Sequence, residues 1–358
     1  MKAEEYAANP VPSIQDWEDL WAAWDAVTQR MIPEEELLGK PIKLRNACIF
    51  YLGHIPTFMD IHLTRATRGK PTEPSHYPKI FERGIDPDVD NPEQCHSHSE
   101  IPDSWPPASE ILGFQNRVRM RTKKQYESGQ HKDQRIGRAL WIGYEHEMMH
   151  LETLLYMLVQ SEKTLPPPNT IRPDFETMAQ QAKRSTVLNK WLDIPAQDIT
   201  IGIEDSDDNS GPEHFFGWDI ERVPRTVHVK AFSAQGRPIT NGEYAAYLES
   251  TGKQSLPASW ASIDHPDEMD GNEAKPSSPS SAFLQGKAVR TVYGLIPLRF
   301  ALDWPVSASY DELKPCALYM GGRIPTMEEA RSIYKYVEEM KKKEAENVSG
   351  RTIPAVNG

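Results

Sequence analysis

Residues 141–158 read WIGYEHEMMHLETLLYML, and this stretch decides how the first half of the chain is interpreted. Its apolar residues recur at helical spacing, which predicts an amphipathic helix with one face buried in a helical bundle. His146 and His150 are four residues apart, so on a helix they project from the same face. Two imidazoles at that spacing can bind one transition metal. The HxxxH pattern is a weak signal by itself, because two histidines on an ordinary helix also fit it.

Two glutamates in the same stretch are candidates for further metal chemistry. Glu152 follows His150 by two residues, about 200° round the helix, so its side chain is expected to point away from the metal. Glu147 follows His146 directly, and HEMMH matches the HExxH signature of zinc metalloproteases. Because no downstream ligand of that class is evident, a metalloprotease is kept as a minor alternative.

A third ligand is expected from a different helix. Residues 41–67, PIKLRNACIFYLGHIPTFMDIHLTRAT, are mostly apolar, which predicts a long buried helix with a kink at Pro56. His54 lies inside this helix, where it is either a core histidine with a hydrogen-bond partner or a ligand, and the expected bundle favours a ligand. His62 lies eight residues later, roughly 12 Å further along the axis, so it is not expected to share a metal with His54.

Residues 69–108 are dense in proline, aspartate and histidine and show no periodicity, which predicts a long ordered loop. His96 and His98 lie in this loop and are kept as alternative ligands, although alternating histidines in a polar loop are usually solvated. The candidate metal site therefore consists of His54, His146 and His150. Three neutral imidazoles with open positions suit iron, zinc or copper, and the ligands alone do not choose among these metals.

Four predicted helices make the first half a bundle with one long crossover. They are expected at residues 14–31, 41–67, 108–128 and 137–162. Ser13 is the expected N-cap of the first helix, with Asp16 in the capping-box position. The third helix carries three arginines, interpreted as a solvated basic face, with a substrate carboxylate as the other possibility: Arg117, Arg119 and Arg121.

The second half alternates short β-rich runs with turns and helices, which predicts an α+β region. Residues 165–190 read as a linker with a short helix. Strands are expected at residues 199–203 and 225–232, and helices at 240–251 and 326–346. Asn241 is the expected cap of the first of these helices and Thr326 of the second. Residues 255–295 are rich in proline and serine and are expected to be irregular.

The bulk composition indicates a soluble globular protein and excludes several classes. The 358 residues are 38% hydrophobic and 26% charged, which is an ordinary balance and leaves room for two domains. A net charge of −12 argues against a nucleic-acid partner. The sequence has no secretory signal and no apolar run of membrane-spanning length, and its three cysteines form no paired framework. We therefore expect a cytoplasmic protein, with a nuclear location as the other possibility.

Several segments resemble one enzyme family. Residues 52–58, LGHIPTF, and 141–156, WIGYEHEMMHLETLLY, resemble the DinB-like bundle of the ergothioneine-biosynthetic sulfoxide synthases, most closely the eukaryotic type. Four later segments resemble the formylglycine-generating-enzyme-type domain of the same proteins: FGWDIERVPRTVHVKAF (216–232), PITNGEYAAYLESTG (238–252), LPASW (256–260) and DWPVSASYDELKPCALYMGGRIPTMEEA (303–330). The resemblance covers about residues 14–340, and the two signatures in this order are specific.

The resemblance implies an α + (α+β) fold. It places a DinB-like four-helix bundle at residues 1–185 and an incomplete formylglycine-generating-enzyme-type (C-type-lectin-like) α+β domain at residues 190–358. It also implies an oxidoreductase that uses iron(II) and dioxygen to join cysteine or γ-glutamylcysteine to C2 of the imidazole of hercynine, giving a sulfoxide. The three histidine iron ligands of the family correspond to His54, His146 and His150, and the remaining positions of the metal would hold the reactants together.

Two departures from the family pattern affect the expected activity. Bacterial relatives have a glutamine that contacts the imidazole substrate where this chain has Met149, so Met149 is the expected substrate contact. The part of the second domain that supplies pocket residues and a proton-transferring tyrosine is expected to lie beyond Gly358. We therefore expect iron binding, slow or absent turnover, and a second half that proteases cut more readily than the bundle. The alternatives are a DinB-like metal-dependent thiol transferase and a catalytically incomplete metal-binding fragment.

Overall fold

A computed structural model describes residues 9–43, 45–82, 85–87, 95–97, 102–205, 214–263 and 279–349. For residues 85–87, 95–97 and 344–349 it describes the backbone alone. His98 lies outside the described residues, and of His96 only the backbone is described, so their expected role as alternative ligands stays a prediction. No helix in the described part of the chain is long and apolar enough to cross a membrane.

Four long helices pack against one another in the first half of the chain, as predicted. They are α1 (Ile14–Ala26), α2 (Cys48–Thr67), α4 (Ala108–Glu127) and α5 (Gln134–Leu158). Helix α2 is central, because it packs against both α4 and α5, while α1 packs against α5. Their shared core is built from large side chains that are almost fully buried, including Trp17, Trp24, Leu52, Leu63, Phe114, Leu140 and Leu154.

Local capping signals fix where two of these helices begin. Ser13 accepts a hydrogen bond from the Asp16 amide, and the Asp16 carboxylate accepts one from the Ser13 amide, which is the predicted capping box. The predicted single helix at residues 14–31 is instead α1 followed by a π-helical turn, Val27–Met31. Asp133, which was not identified from the sequence, caps α5 by accepting from the amides of Arg135 and Ile136.

Helix α2 begins at Cys48, seven residues after the predicted start at Pro41. The chain before Cys48 turns back, and the Cys48 amide donates to the carbonyl of Gly39, which lies outside the helix. The helix then continues through Pro56 to Thr67. Proline removes one donor from the helical ladder, but tertiary packing holds this helix together, since the residues around Pro56 are buried.

Part of the predicted loop at residues 69–108 has regular structure. A short helix, α3 (Tyr77–Phe81), packs against α2. Two short antiparallel strands follow, β1 (Ile85–Pro87) and β2 (Cys95–Ser97). Helix α3 forms because Tyr77 and Phe81 are fully buried against the bundle, a tertiary contact that periodicity over five residues does not reveal.

Arg119 and Arg121 are paired and mostly buried, so the interpretation of the three α4 arginines as a solvated basic face was wrong for these two, whereas Arg117 is exposed. Arg119 makes a two-pronged ion pair with Asp25, with both N···O distances at 2.8 Å. Arg121 bonds to the buried Asp60 on α2 at 2.6 Å. Arg117 donates to the backbone carbonyl of Glu73. These arginines tie α4 to α1, to α2 and to the segment before α3.

The second half mixes helices with small antiparallel sheets, so the predicted α+β character is confirmed. Its helices are α6 (Phe175–Arg184), α7 (Asn241–Thr251), α8 (Ser281–Leu284), α9 (Tyr310–Tyr319) and α10 (Met327–Ser349). Its strands are β3 (Trp191–Ile194), β4 (Gln197–Ile201), β5 (Arg225–Val229), β6 (Phe232–Gln235), β7 (Trp260–Ser262), β8 (Lys287–Thr291) and β9 (Gly294–Pro297). In the described residues β3 pairs with β6, β4 with β5, and β7, β8 and β9 form one sheet in that order.

Two predictions for the second half were wrong in detail. The cap of α7 is Thr240, which accepts from the Glu243 amide, whereas the Asn241 side chain donates to the Ala301 carbonyl and accepts from the Trp260 indole. Residues 255–295 were expected to be irregular but contain β7, α8 and β8. The predicted Thr326 cap of α10 is confirmed, because its hydroxyl accepts from the Glu329 amide.

The second half has its own apolar core, and several contacts join it to the bundle. That core includes Tyr244, Leu248, Trp260, Leu298 and Cys316.

Asp205 is fully buried and accepts from Arg138 of α5 at 2.5 Å, while His214 and the Gly217 amide also donate to it. This cluster therefore fastens the segment after β4 to helix α5.

Candidate metal centre

Three histidine side chains meet between α2 and α5. His54 projects from α2, and His146 and His150 project from one face of α5, as their four-residue spacing predicts. One ring nitrogen from each histidine lies within 4.8 Å of the other two. The ring centroids are 4.9 Å apart for His54 and His146, 4.9 Å for His54 and His150, and 4.5 Å for His146 and His150. The described residues contribute no carboxylate or thiol to this cluster.

A backbone carbonyl fixes the tautomer of His54. The Nδ1 atom of His54 lies 2.7 Å from the carbonyl oxygen of Phe81, at the end of α3. A carbonyl can only accept, so Nδ1 carries the proton and donates, which leaves Nε2 with a free lone pair. Metal-binding histidines commonly donate their second ring nitrogen to a carbonyl or carboxylate in this way. The Nε2 lone pair of His54 is thus available to bind a metal ion.

The other two histidines carry buried nitrogens without partners. Nδ1 of His146 and Nδ1 of His150 are buried and have no hydrogen-bond partner among the described residues. A buried polar atom without a partner costs free energy. A metal ion or water that bonds to such an atom would lower that cost. The donor set, its spacing and these unpartnered atoms fit one transition-metal ion bound by three imidazoles.

Burial keeps the three imidazoles neutral, which is the form that binds metal. Desolvation lowers the pKa of His54, although its hydrogen bond to the Phe81 carbonyl partly opposes this. Desolvation, together with the neighbouring histidines, lowers the pKa of His146 well below its ordinary value. Desolvation is the largest cause that lowers the pKa of His150 to about 3, and the neighbouring His54 and Arg45 side chains add to it. A neutral imidazole presents a lone pair without prior loss of a proton.

Aromatic rings enclose the cluster. The Phe58 ring stacks on His146 with centroids 3.7 Å apart, and the Phe50 ring stacks on His54 at 5.0 Å. The Tyr51 ring lies 5.7 Å from His150. An apolar shell of this kind limits water near a metal and restricts the rotation of its ligands.

The two glutamates of the α5 stretch lie away from the cluster. Glu152 is exposed and is not part of the histidine group, as its position on the helix predicts. Glu147 is buried beside Trp17, Trp21 and Arg119, on the side of α5 that faces α1 and α4. Burial raises the pKa of Glu147 to about 8. Since the glutamate of an HExxH protease must act beside the metal, this geometry contradicts the metalloprotease alternative.

Other residues considered from the sequence lie around the site. His62 is separated from His146 by the Phe58 ring, whose centroid lies 4.4 Å from that of His62, and it is not part of the cluster. Met149 is 45% exposed on α5 beside His150. Sequence reasoning missed Phe58 and the Phe81 carbonyl. Phe58 follows His54 by four residues and was detectable by helical spacing, whereas no local signal points to the Phe81 carbonyl.

The part of the chain that carries the three histidines matches a known protein family. The sequence model of the DinB superfamily matches residues 15–154, a span that contains all three histidines. The chain is 58% identical to Ergothioneine biosynthesis protein 1 of Neurospora crassa, and the match covers 98% of this chain. The chain therefore belongs to the family of this protein, which confirms the resemblance to the ergothioneine-biosynthetic proteins and their DinB-like bundle. A protein of the same name from Schizosaccharomyces pombe is 32% identical over 92% of this chain.

The chain spans less than half the length of these ergothioneine biosynthesis proteins. The match covers 42% of the Neurospora crassa protein and 43% of the Schizosaccharomyces pombe protein. The similarity includes both the helical bundle and the α+β half, because it extends over nearly the whole chain. The candidate metal centre therefore lies within the part that the chain shares with these relatives.

Proposed function

We propose that this chain holds the iron(II) centre of an enzyme that forms the carbon–sulfur bond of ergothioneine biosynthesis. The observation that carries this proposal is the cluster of three neighbouring histidines, two buried and one half-buried, within a chain 58% identical to Ergothioneine biosynthesis protein 1. His54, His146 and His150 would hold the metal through one imidazole nitrogen each. The substrates would be hercynine, dioxygen, and cysteine or γ-glutamylcysteine.

The proposed reaction balances without a further co-reactant. The hydrogen at C2 of hercynine and the thiol hydrogen are lost as the carbon–sulfur bond forms. One oxygen atom of dioxygen enters the sulfoxide, and the other leaves as water with those two hydrogens. When bound, iron(II) supplies dioxygen activation and a common attachment point for the reactants.

The residues of this chain would position the metal and keep water from it. The Phe81 carbonyl holds the His54 ring in one tautomer. The Phe58 ring against His146 and the Phe50 ring against His54 restrict both imidazoles and line the site with apolar surface. We also propose that Met149, which is exposed next to His150, contacts the substrate imidazole in place of the glutamine of bacterial relatives.

The second half would complete the site from outside the bundle. We propose that it is a formylglycine-generating-enzyme-type region, on the basis of the segments quoted above and its α+β character. It already contacts the helix that carries two ligands, because Asp205 bonds to Arg138, eight residues before His146. A cytoplasmic location is part of the same proposal, since all the proposed substrates are small soluble metabolites.

The test measures iron and product separately on the purified full chain. The protein is reconstituted anaerobically with iron(II), and bound iron is counted after removal of excess metal. Hercynine and cysteine, or hercynine and γ-glutamylcysteine, are then mixed with stoichiometric protein and oxygen, and the sulfoxide is sought by mass spectrometry. We expect about one iron per chain and slow formation of a product that requires iron, oxygen and both organic substrates.

Each failure has a distinct meaning. Protein that is folded by circular dichroism but retains no iron would overturn the metal assignment. Protein that binds stoichiometric iron but forms no sulfoxide in a single turnover would overturn the proposed reaction for this chain while leaving the metal centre intact. His146→Ala is the matched negative control, since it removes one imidazole and should abolish both signals.

A further inference from the structure

A glycine beside the first proposed ligand permits an unusually close contact. A Cβ atom at Gly53 would lie 2.5 Å from Cε1 and Cζ and 2.6 Å from Cδ1 of the Phe81 ring. Real Cβ contacts essentially never come that close, so alanine at this position would force the ring to move. Gly53 lies directly before His54 in α2, so the ring packs against the helix at the ligand itself.

The same phenylalanine supplies the hydrogen bond that orients His54. Its carbonyl oxygen accepts from Nδ1 of His54 at 2.7 Å. Its ring contacts the Phe50 ring, which itself stacks on His54. Side chain and carbonyl belong to one residue at the end of α3, so a shift of the ring away from α2 shifts the carbonyl as well.

The surroundings leave the Phe81 ring little room to yield. Phe81 is fully buried. Its ring stacks on Trp105 with centroids 5.7 Å apart and meets the edge of Tyr77 at 5.1 Å. A close-packed cluster of this kind transmits a displacement to its neighbours instead of absorbing it.

We propose that Gly53 is a positioning residue of the metal centre, because its missing side chain lets α3 approach α2 closely enough for the Phe81 carbonyl to fix the tautomer and ring angle of His54. This inference rests on the proposed function only in that the three histidines bind a metal. It assigns no role to substrates. It predicts that adding a single methyl group at Gly53 weakens and distorts the metal site without removing any ligand.

The test compares Gly53→Ala with Gly113→Ala. Gly113 lies inside α4, where a Cβ atom would meet only Nη1 of Arg117, at 3.5 Å, so it controls for replacing a helical glycine. Cobalt(II) and iron(II) are the probes, with dissociation constants from competition titrations and the ligand-field absorption bands of the cobalt form. We expect Gly53→Ala to weaken metal binding about 10- to 100-fold and to shift the cobalt bands. Gly113→Ala should match the unmodified protein in both measurements.

A second variant separates the proposed clash from general destabilisation. Phe81→Leu replaces the aromatic ring with a smaller side chain and makes room for a methyl group. Gly53→Ala combined with Phe81→Leu should therefore bind cobalt(II) more tightly than Gly53→Ala alone. If Gly53→Ala does not fold, Phe81→Leu alone must still shift the cobalt bands by loosening the carbonyl. Unchanged affinity and bands in folded Gly53→Ala would overturn the proposal, as would unchanged bands in Phe81→Leu. Absence of metal binding in the unmodified protein would instead refute the proposed function.

Discussion

The three histidines are not equivalent at the level of single residues. His54 has a defined tautomer, because its Nδ1 donates to the Phe81 carbonyl. His146 and His150 have unpartnered Nδ1 atoms, so their ring orientation depends on packing alone and on the metal. The two histidines of α5 should therefore depend on the metal for their order more than His54 does.

Removing either histidine of α5 should abolish tight iron binding. His146→Ala and His150→Ala each leave two imidazoles, which form a much weaker site than three. Bound iron per chain after reconstitution is expected to fall from about one to near zero in each variant. Glu152→Gln is the matched control, because Glu152 is exposed on the same helix and lies outside the histidine cluster. Stoichiometric iron in the doubly substituted protein would refute the assignment, as would a metal-to-oxygen distance below ~2.5 Å from Glu152.

At the level of elements, the site depends on how closely α2 approaches α5. Gly143 lies one helical turn before His146, and a Cβ atom there would collide with the sulfur of Met59, a buried residue of α2. His54 and Met59 share α2, and His146 and Gly143 share α5. Glycine at position 143 therefore leaves room for the Met59 side chain between the two helices that carry the proposed ligands.

Gly143→Ala should destabilise the protein although alanine is the better helix former. Alanine is favoured over glycine inside a helix by about 1 kcal/mol, but overpacking a core costs about 1–3 kcal/mol. We expect a net loss of stability in urea-induced unfolding, with weaker metal binding. Gly113→Ala, whose added Cβ atom would make only an ordinary contact with the Arg117 side chain, should be neutral or stabilising. Equal stability of the two variants would contradict this prediction, because it would show that the added methyl group does not overpack the contact between α2 and α5.

The Asp205 cluster joins two elements and should respond to acid. Burial raises the pKa of the Asp205 carboxyl, but hydrogen bonds from Arg138, the Gly217 amide and His214 outweigh it and hold the pKa at about 2. An unfolded aspartate has a pKa of about 3.9. Because the folded value is the lower one, the stabilisation is complete above about pH 4 and is lost as the pH falls towards 2.

Asp205→Asn should remove this acid dependence and weaken the contact between α5 and the second half. Asparagine keeps one acceptor oxygen, but it removes the negative charge beside Arg138 and places an amide donor against the donors of the cluster, which costs roughly 1–3 kcal/mol. Thermal unfolding recorded between pH 6 and pH 2.5 should show a smaller fall in midpoint for the variant than for the unmodified protein. Asp303 is exposed, so Asp303→Asn controls for the loss of one negative charge. Parallel pH profiles for Asp205→Asn and the unmodified protein would contradict the assignment.

Across the whole molecule, the two halves have cores of different size. The bundle core extends from Trp17 to Leu158 and includes many fully buried large side chains. The second half has a smaller core and sheets of two or three strands in its described part. It also carries a groove of about 1020 Å³, lined by residues of β3, β6, α9 and α10. Trp191 and Tyr334, which line it, are 50% and 63% exposed.

Limited proteolysis should therefore leave the bundle as the resistant fragment. A segment with fewer buried apolar contacts opens more readily, and proteases cut the open form. The sequence predicted that the bundle ends at residue 185. In the structure the Phe175 ring of α6 packs on Trp304 and Tyr293 of the second half, so the main cut sites are expected at residues 159–174, before α6. Mass spectrometry of the fragments gives the cut sites. A second half that resists protease as well as the bundle would contradict this expectation.

The sequence by itself determined the features that depend on local geometry. His146 and His150 share a face, and Ser13 and Thr326 cap their helices, because backbone hydrogen bonding fixes positions three and four residues apart. The same helical geometry gave the outward direction of Glu152. The predicted strands at residues 199–203 and 225–232 correspond to β4 and β5, but most of the other short strands and the short helix α3 were missed, since so few residues carry too little periodic signal.

Only the tertiary structure decided the features that join distant parts of the chain. His54 meets His146 across 92 positions of sequence, and its partner Phe81 is 27 positions away. The burial of Glu147 among α1 and α4, and the pairing of Arg119 with Asp25, likewise depend on which helices become neighbours. Such contacts arise from the packing of the whole core, where each side chain must fit every neighbour at once, and no short stretch of sequence encodes them.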